Sequence, residues 1–146
     1  MKHMQLLSLL VILMLGSGVV NASPESKPFA EERIVLQISD PDPFKQTLVL
    51  NVANNLIKYY GTDKVDIEIV AFGPGLRLLF KDNANNGRID GLVQNGVEFA
   101  ACKNTLANMT KLIGEPPALH SSATPVSAGV VRIIELENKG YKLIKP

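Results

Sequence analysis

The 146-residue chain is short of several things, and each shortage closes off a class of function. It carries one cysteine, Cys102, so it cannot be stapled internally in the way that small exported domains often are. It has two histidines, and only His120 lies outside the N-terminal apolar segment. A metal site of the usual His/Cys type therefore has too few ligands, and no metal or organic cofactor is expected. There is no run of clustered Lys and Arg, which a nucleic-acid partner would require. A long apolar run is missing too. Residues 6–15 are uncharged and apolar, but a membrane-spanning helix needs about 20 such residues. No internal repeat and no second domain are visible.

The apolar block at residues 6–15 follows a short basic start, Lys2 and His3. Small residues come next, and Val20-Asn21-Ala22 ends in the small-x-small pattern that signal peptidase reads. Residues 1–22 are therefore expected to be a signal peptide, and the remaining chain a periplasmic or secreted protein with no membrane attachment. Of the 15 basic residues only Lys2 lies in the removed segment, which leaves 14 against 14 acidic residues, a net charge near zero. Residues 23–32 are polar, with Pro24 and Pro28, and read as a flexible leader. Residues 33–146 are the length of one ordinary domain.

Within that domain strands and helices alternate. "RIVLQIS" (residues 33–39) is a β-branched, apolar run of the kind that forms a doubly buried strand. Asp42 and Pro43 make a helix start. Phe44, Leu48, Val52, Leu56 and Tyr60 then recur every four residues until Gly61, with Val49 and Ile57 widening the stripe, which predicts an amphipathic helix buried along it. "KVDIEIVAFG" is the second strand, closed by Gly73-Pro74-Gly75 and followed by a short helical piece. A helix through Ile89, Leu92 and Val93 ends at Gly96. "VEFAAC" is the third strand, followed by a helix over residues 104–113 with Leu106, Met109, Leu112 and Ile113 as its apolar side. A short strand is expected around residues 119–123, a last helix over 128–139, and a closing strand in "YKLIKP". This alternation predicts a single compact α/β domain with a mostly parallel five-stranded sheet between two helical layers, an α/β/α arrangement.

In open α/β sheets reactive groups gather beyond the carboxyl ends of the strands. Cys102 falls there, last in its strand and just before a helix. Backbone N–H groups and the helix dipole at such a position favour a thiolate. Asn104 and Thr105 can cap that helix or donate to the sulfur. Gly73, Gly75 and Arg77 belong to a neighbouring turn at the same edge. "FGPGLRLL" lacks the third glycine and the acidic partner of a dinucleotide fingerprint. His120 would serve as an orienting group or base only if the fold brought it to Cys102. Two other fates for the thiol stay open on these residues, a small buried hydrophobe and an intermolecular disulfide.

"VEFAACKNTL" resembles the strand–Cys–Asn–Thr–Leu segment of the DsrE/DsrF-like family. "FGPGLRLL" is similar to that family's turn after the second strand, and "TPVSAGVVRIIELENKGYKLIKP" to its closing helix and strand. The resemblance spans residues 33–146. It implies a three-layer α/β/α fold assembled as a homotrimer or hexamer. It also implies a sulfurtransferase or sulfur carrier that holds sulfane sulfur as a persulfide, exchanged with a donor or acceptor protein, and the position that matches is Cys102. The alternative is a non-catalytic, oligomeric module that binds a small ligand or partner at the cleft near Gly73, Gly75 and Arg77. The chain departs from the family at Lys103, where many relatives carry a small residue, and in its export signal.

Overall fold

A computed structural model describes residues 27–146. The expected signal peptide (residues 1–22) and residues 23–26 of the expected leader lie outside the described residues. Five strands alternate with helices: β1 (Glu32–Ile38), α1 (Pro43–Tyr60), β2 (Val65–Ala71), a 3-10 turn (Gly73–Leu79), α2 (Asn86–Gln94), β3 (Glu98–Cys102), α3 (Lys103–Ile113), β4 (Ala123–Val126), α4 (Gly129–Asn138) and β5 (Lys142–Ile144). The strands form one sheet in the order β4-β3-β2-β1-β5, and every pairing is parallel. The chain steps outward from β1 to β4, then crosses back to lay β5 beside β1. Among the described residues no helix is long and apolar enough to cross a membrane.

Strand periodicity sorts the apolar residues onto two faces. Ile34, Leu36, Ile67, Ile69, Phe99 and Ala101 face one layer, where they pack with α1, the 3-10 turn and α2. Val35, Val70 and Ala100 face the other and meet Ile133 and Leu136 of α4. All seven residues of β2 are buried, including Asp66 and Glu68, because α4 lies over a strand whose polar residues alternate with its aliphatic ones. Both acids are paired. Tyr141 Oη donates to Asp66 at 2.7 Å, and the Arg132 guanidinium donates to both Glu68 oxygens at 2.7 and 2.6 Å. Burial and the bond to Asp66 hold the Tyr141 hydroxyl well above its ordinary pKa, and Glu68 holds Arg132 firmly charged.

α1 starts as expected, with the Asp42 carboxylate accepting from the Phe44 N–H at 2.9 Å. Asp42→Ala should lower the unfolding free energy by about 1 kcal/mol. Chemical denaturation checks this, and Asp42→Asn should recover most of the loss.

The buried face of α1 matches the expected stripe in part: Val49 is buried and Val52, Leu56, Ile57 and Tyr60 pack against the core, but the stripe is rotated at its start. Gln46, Val49, Leu50 and Ala53 are buried, whereas Phe44 is 84% exposed and Leu48 39%. Gln46 fixes this rotation by bonding inward to the Pro41 carbonyl and to Asn83. In α3, Leu106 and Met109 pack on the core, but Leu112 and Ile113 at the far end point into solvent. The expected strand near residue 119 shifts to β4, and Leu119 instead makes an isolated antiparallel bridge with Phe80. The last residues of the expected flexible leader are tied down. The Lys27 ammonium donates to the carbonyls of Thr62, Val65 and Asn95, and β1 begins at Glu32, within the leader's expected span.

Candidate active site

Parallel strands place all their carboxyl ends on one edge, and β3 delivers Cys102 there as both its last residue and the N-cap of α3. Its side chain is only 5% exposed. Burial pushes the thiol pKa up, yet the net displacement is downward. The Thr105 hydroxyl and backbone N–H, then the backbone N–H groups of Gly129 and Asn104, lie close enough to the thiol to favour its anion. Asn104 and Thr105 belong to the first turn of α3, and Gly129 opens α4. The two helices lie on opposite faces of the sheet, so one helix N-terminus from each layer lies beside the same thiol. Each contributes unpaired N–H groups and the positive end of its dipole.

Thr105 ties this cradle to the neighbouring turn. Its Oγ1 accepts from the Gly73 N–H at 2.8 Å, which polarises the hydroxyl that favours the Cys102 thiolate. The turn sits close because Gly75 has no side chain. A Cβ there would meet the Ile38 carbonyl oxygen at 2.5 Å, a backbone contact that cannot yield. Gly129 has the same role on the other side, where a Cβ would fall 2.8 Å from the Phe72 Cβ. Bare backbone at these two positions lets the turn and α4 close on the strand end.

The structure therefore brings Cys102, Thr105, Gly73 and the Asn104 backbone together, with Gly75 supporting the turn. The Asn104 side chain is exposed, and so is Arg77 in the 3-10 turn. His120 is elsewhere. Its carbonyl accepts from the Ala123 N–H, and Ala123 pairs with Phe99, whereas Cys102 pairs with Val126. That separates them by about 10 Å along the strands. His120 is 9% exposed, lies 3.2 Å from Asp90 through Nε2, and accepts the Ser122 N–H through Nδ1. It is a structural clasp between α2 and the segment before β4. Gly129 and Phe72 are the contributors that reading the chain alone did not single out. No local motif marks Gly129 as a partner of a cysteine 27 positions earlier, since the two meet only through the sheet. Among the described residues no group of three or more His, Cys, Asp or Glu side chains is placed to hold a metal ion.

Fold and site together define a three-layer α/β/α protein with one thiol set between two helix N-termini. No protein-family model matches the chain, and neither does any curated protein. A solved structure from Methanobacterium thermoautotrophicum, the protein of unknown function MTH1491, is similar to it at 30% sequence identity with a TM-score of 0.71. The alignment covers 79% of this chain and 99% of the other. At that identity and coverage the chain belongs to the same family as MTH1491.

Proposed function

We propose that this protein is an exported, DsrE/DsrF-like sulfur carrier or sulfurtransferase that holds sulfane sulfur as a persulfide on Cys102. The observation that carries the reading is the placement of Cys102 as the last residue of β3 and the N-cap of α3, where nearby backbone N–H groups and the Thr105 hydroxyl hold its thiol below the ordinary value. The Cys102 thiolate attacks the outer sulfur of a donor such as thiosulfate. A Cys102 S–S bond forms, the donor S–S bond breaks, and sulfite leaves with the electron pair. An acceptor thiolate then attacks the terminal sulfur, and Cys102 departs as a thiolate into the same cradle. Neither step needs a metal or an outside oxidant. Backbone N–H groups are fixed donors that cost no reorganisation when negative charge returns to the sulfur. The low exposure of Cys102 favours slim, low-mass donors over a bulky one. Export follows from the expected signal peptide. Assembly as a homo-oligomer is supported by Val130, Val131 and Ile134, which expose apolar side chains from α4.

Sulfur delivery tests the reading. Protein treated with polysulfide, freed of excess donor and mixed with a low-mass thiol should yield acceptor persulfide up to one equivalent per chain. A wild-type protein that delivers none, or a Cys102→Ser variant that delivers as much, would sink it.

A further inference from the structure

α4 lies across β1, β2 and β3, and on its β4 side the second face of the sheet opens into a cavity of about 240 Å³. Its floor is apolar, formed by Ala100, Val126 and Leu136, and its wall is charged. Most of that charge is already spent: Glu68 is held by both arms of Arg132, and Asp66 by Tyr141. Two lining groups are left over. Glu98 and Lys139 face the cavity with no side-chain hydrogen bond or ion pair to each other or to any other described residue. Glu98 sits directly beside Glu68 in the β2–β3 register. Burial, then Glu68 and Asp66, push its carboxyl above the ordinary value while Arg132 and Lys139 pull it back, so an ammonium group placed against Glu98 would relieve the crowding of like charges.

We propose that this cavity binds a small zwitterionic α-amino acid, with its ammonium group on Glu98, its carboxylate on Lys139 and its side chain over Ala100, Val126 and Leu136. An acid and a base left over in one small cavity match a ligand carrying both charges. A simple cation would face Lys139 and Arg132, and a simple anion would face Glu98 and Glu68. The volume lies below the roughly 300–1,000 Å³ of pockets for drug-sized ligands, which suits a single amino acid and excludes a nucleotide. The inference stands on residues other than Cys102 and is independent of the persulfide reading.

The test is a titration of the full mature protein, followed by backbone amide NMR, with L-alanine, L-cysteine, ethylamine and acetate in turn. Saturable shifts confined to Glu98, Ala100, Thr124, Val126, Leu136 and Lys139 are expected for the amino acids below about 10 mM. Ethylamine and acetate, each carrying one charge, should bind at least about tenfold more weakly. Glu98→Gln and Lys139→Met should each weaken amino-acid binding by at least about tenfold. Glu98→Gln removes a like-charge contact, so its thermal unfolding should match or exceed wild type, and lost binding cannot then be ascribed to lost fold. No saturable shift with either amino acid, equal binding of ethylamine, or binding unchanged in both variants would overturn the proposal.

Discussion

Thr105→Val should raise the titration midpoint of Cys102 by about one unit or more. A hydrogen bond to a charged group is worth about 1.5–3 kcal/mol, and one unit corresponds to about 1.4 kcal/mol. Alkylation at pH 7 should slow by only about three- to tenfold, because the more basic thiolate regains roughly half of the loss in nucleophilicity. Thr105→Ser keeps the hydroxyl and should keep the midpoint. The folded thiol titrates below its ordinary value, hence below the unfolded chain. Its contribution to stability is therefore present above the unfolded pKa and fades as pH falls through the folded one. The stability gap between wild type and Thr105→Val should accordingly widen on the alkaline side. The valine also deprives the Gly73 N–H of its acceptor, so a pH-independent cost is expected on top. Alkylation followed by intact mass across a pH series, paired with denaturant melts, separates the two effects. A midpoint unmoved in Thr105→Val would show that the hydroxyl does not act on the sulfur.

Arg132→Leu should be the most damaging single change outside the core. It leaves the Glu68 carboxylate, 5% exposed at its side chain, without the two bonds that compensate its burial. Removing one partner of a buried pair costs about 3–5 kcal/mol. The Arg132 side chain is itself a quarter exposed, so water can partly replace it and the lower end applies, about 3 kcal/mol. That corresponds to a fall in melting temperature of about 10 °C for a domain of this size. Adding Glu68→Gln should return most of the loss, since a neutral amide costs far less to bury than an unpaired charge. A single variant that loses less than about 1 kcal/mol would mean that the pair is solvated in solution.

The two sites were legible in the chain to different degrees. The position of Cys102 at a strand end before a helix is legible because "VEFAAC" and the helix after it are local patterns, and an all-parallel sheet sends every strand end to one edge. The second half of its cradle was not legible. Gly129 reaches the sulfur only because α4 crosses to the opposite face of the sheet, a long-range fact with no local mark. The α1 stripe shows a different limit. Counting every fourth residue from Phe44 yields an apolar series, and so does Val49, Ala53 and Ile57 one position later; a polar residue, Gln46, decides between them through partners 5 and 37 positions away. The charged face under α4 was hidden for a related reason. Asp66 and Glu68 alternate with aliphatic residues as an ordinary solvent-facing edge would, and only the return crossing to β5 covers them.

Intact mass after exposure to a sulfur donor decides whether Cys102 carries sulfur. Mature protein incubated with thiosulfate, polysulfide or a low-mass persulfide should gain the mass of one sulfur atom, lose it on reduction, and gain nothing as Cys102→Ser. Failure to form the adduct with every donor, together with Cys102 alkylation no faster at neutral pH than that of an unperturbed thiol, would contradict that role.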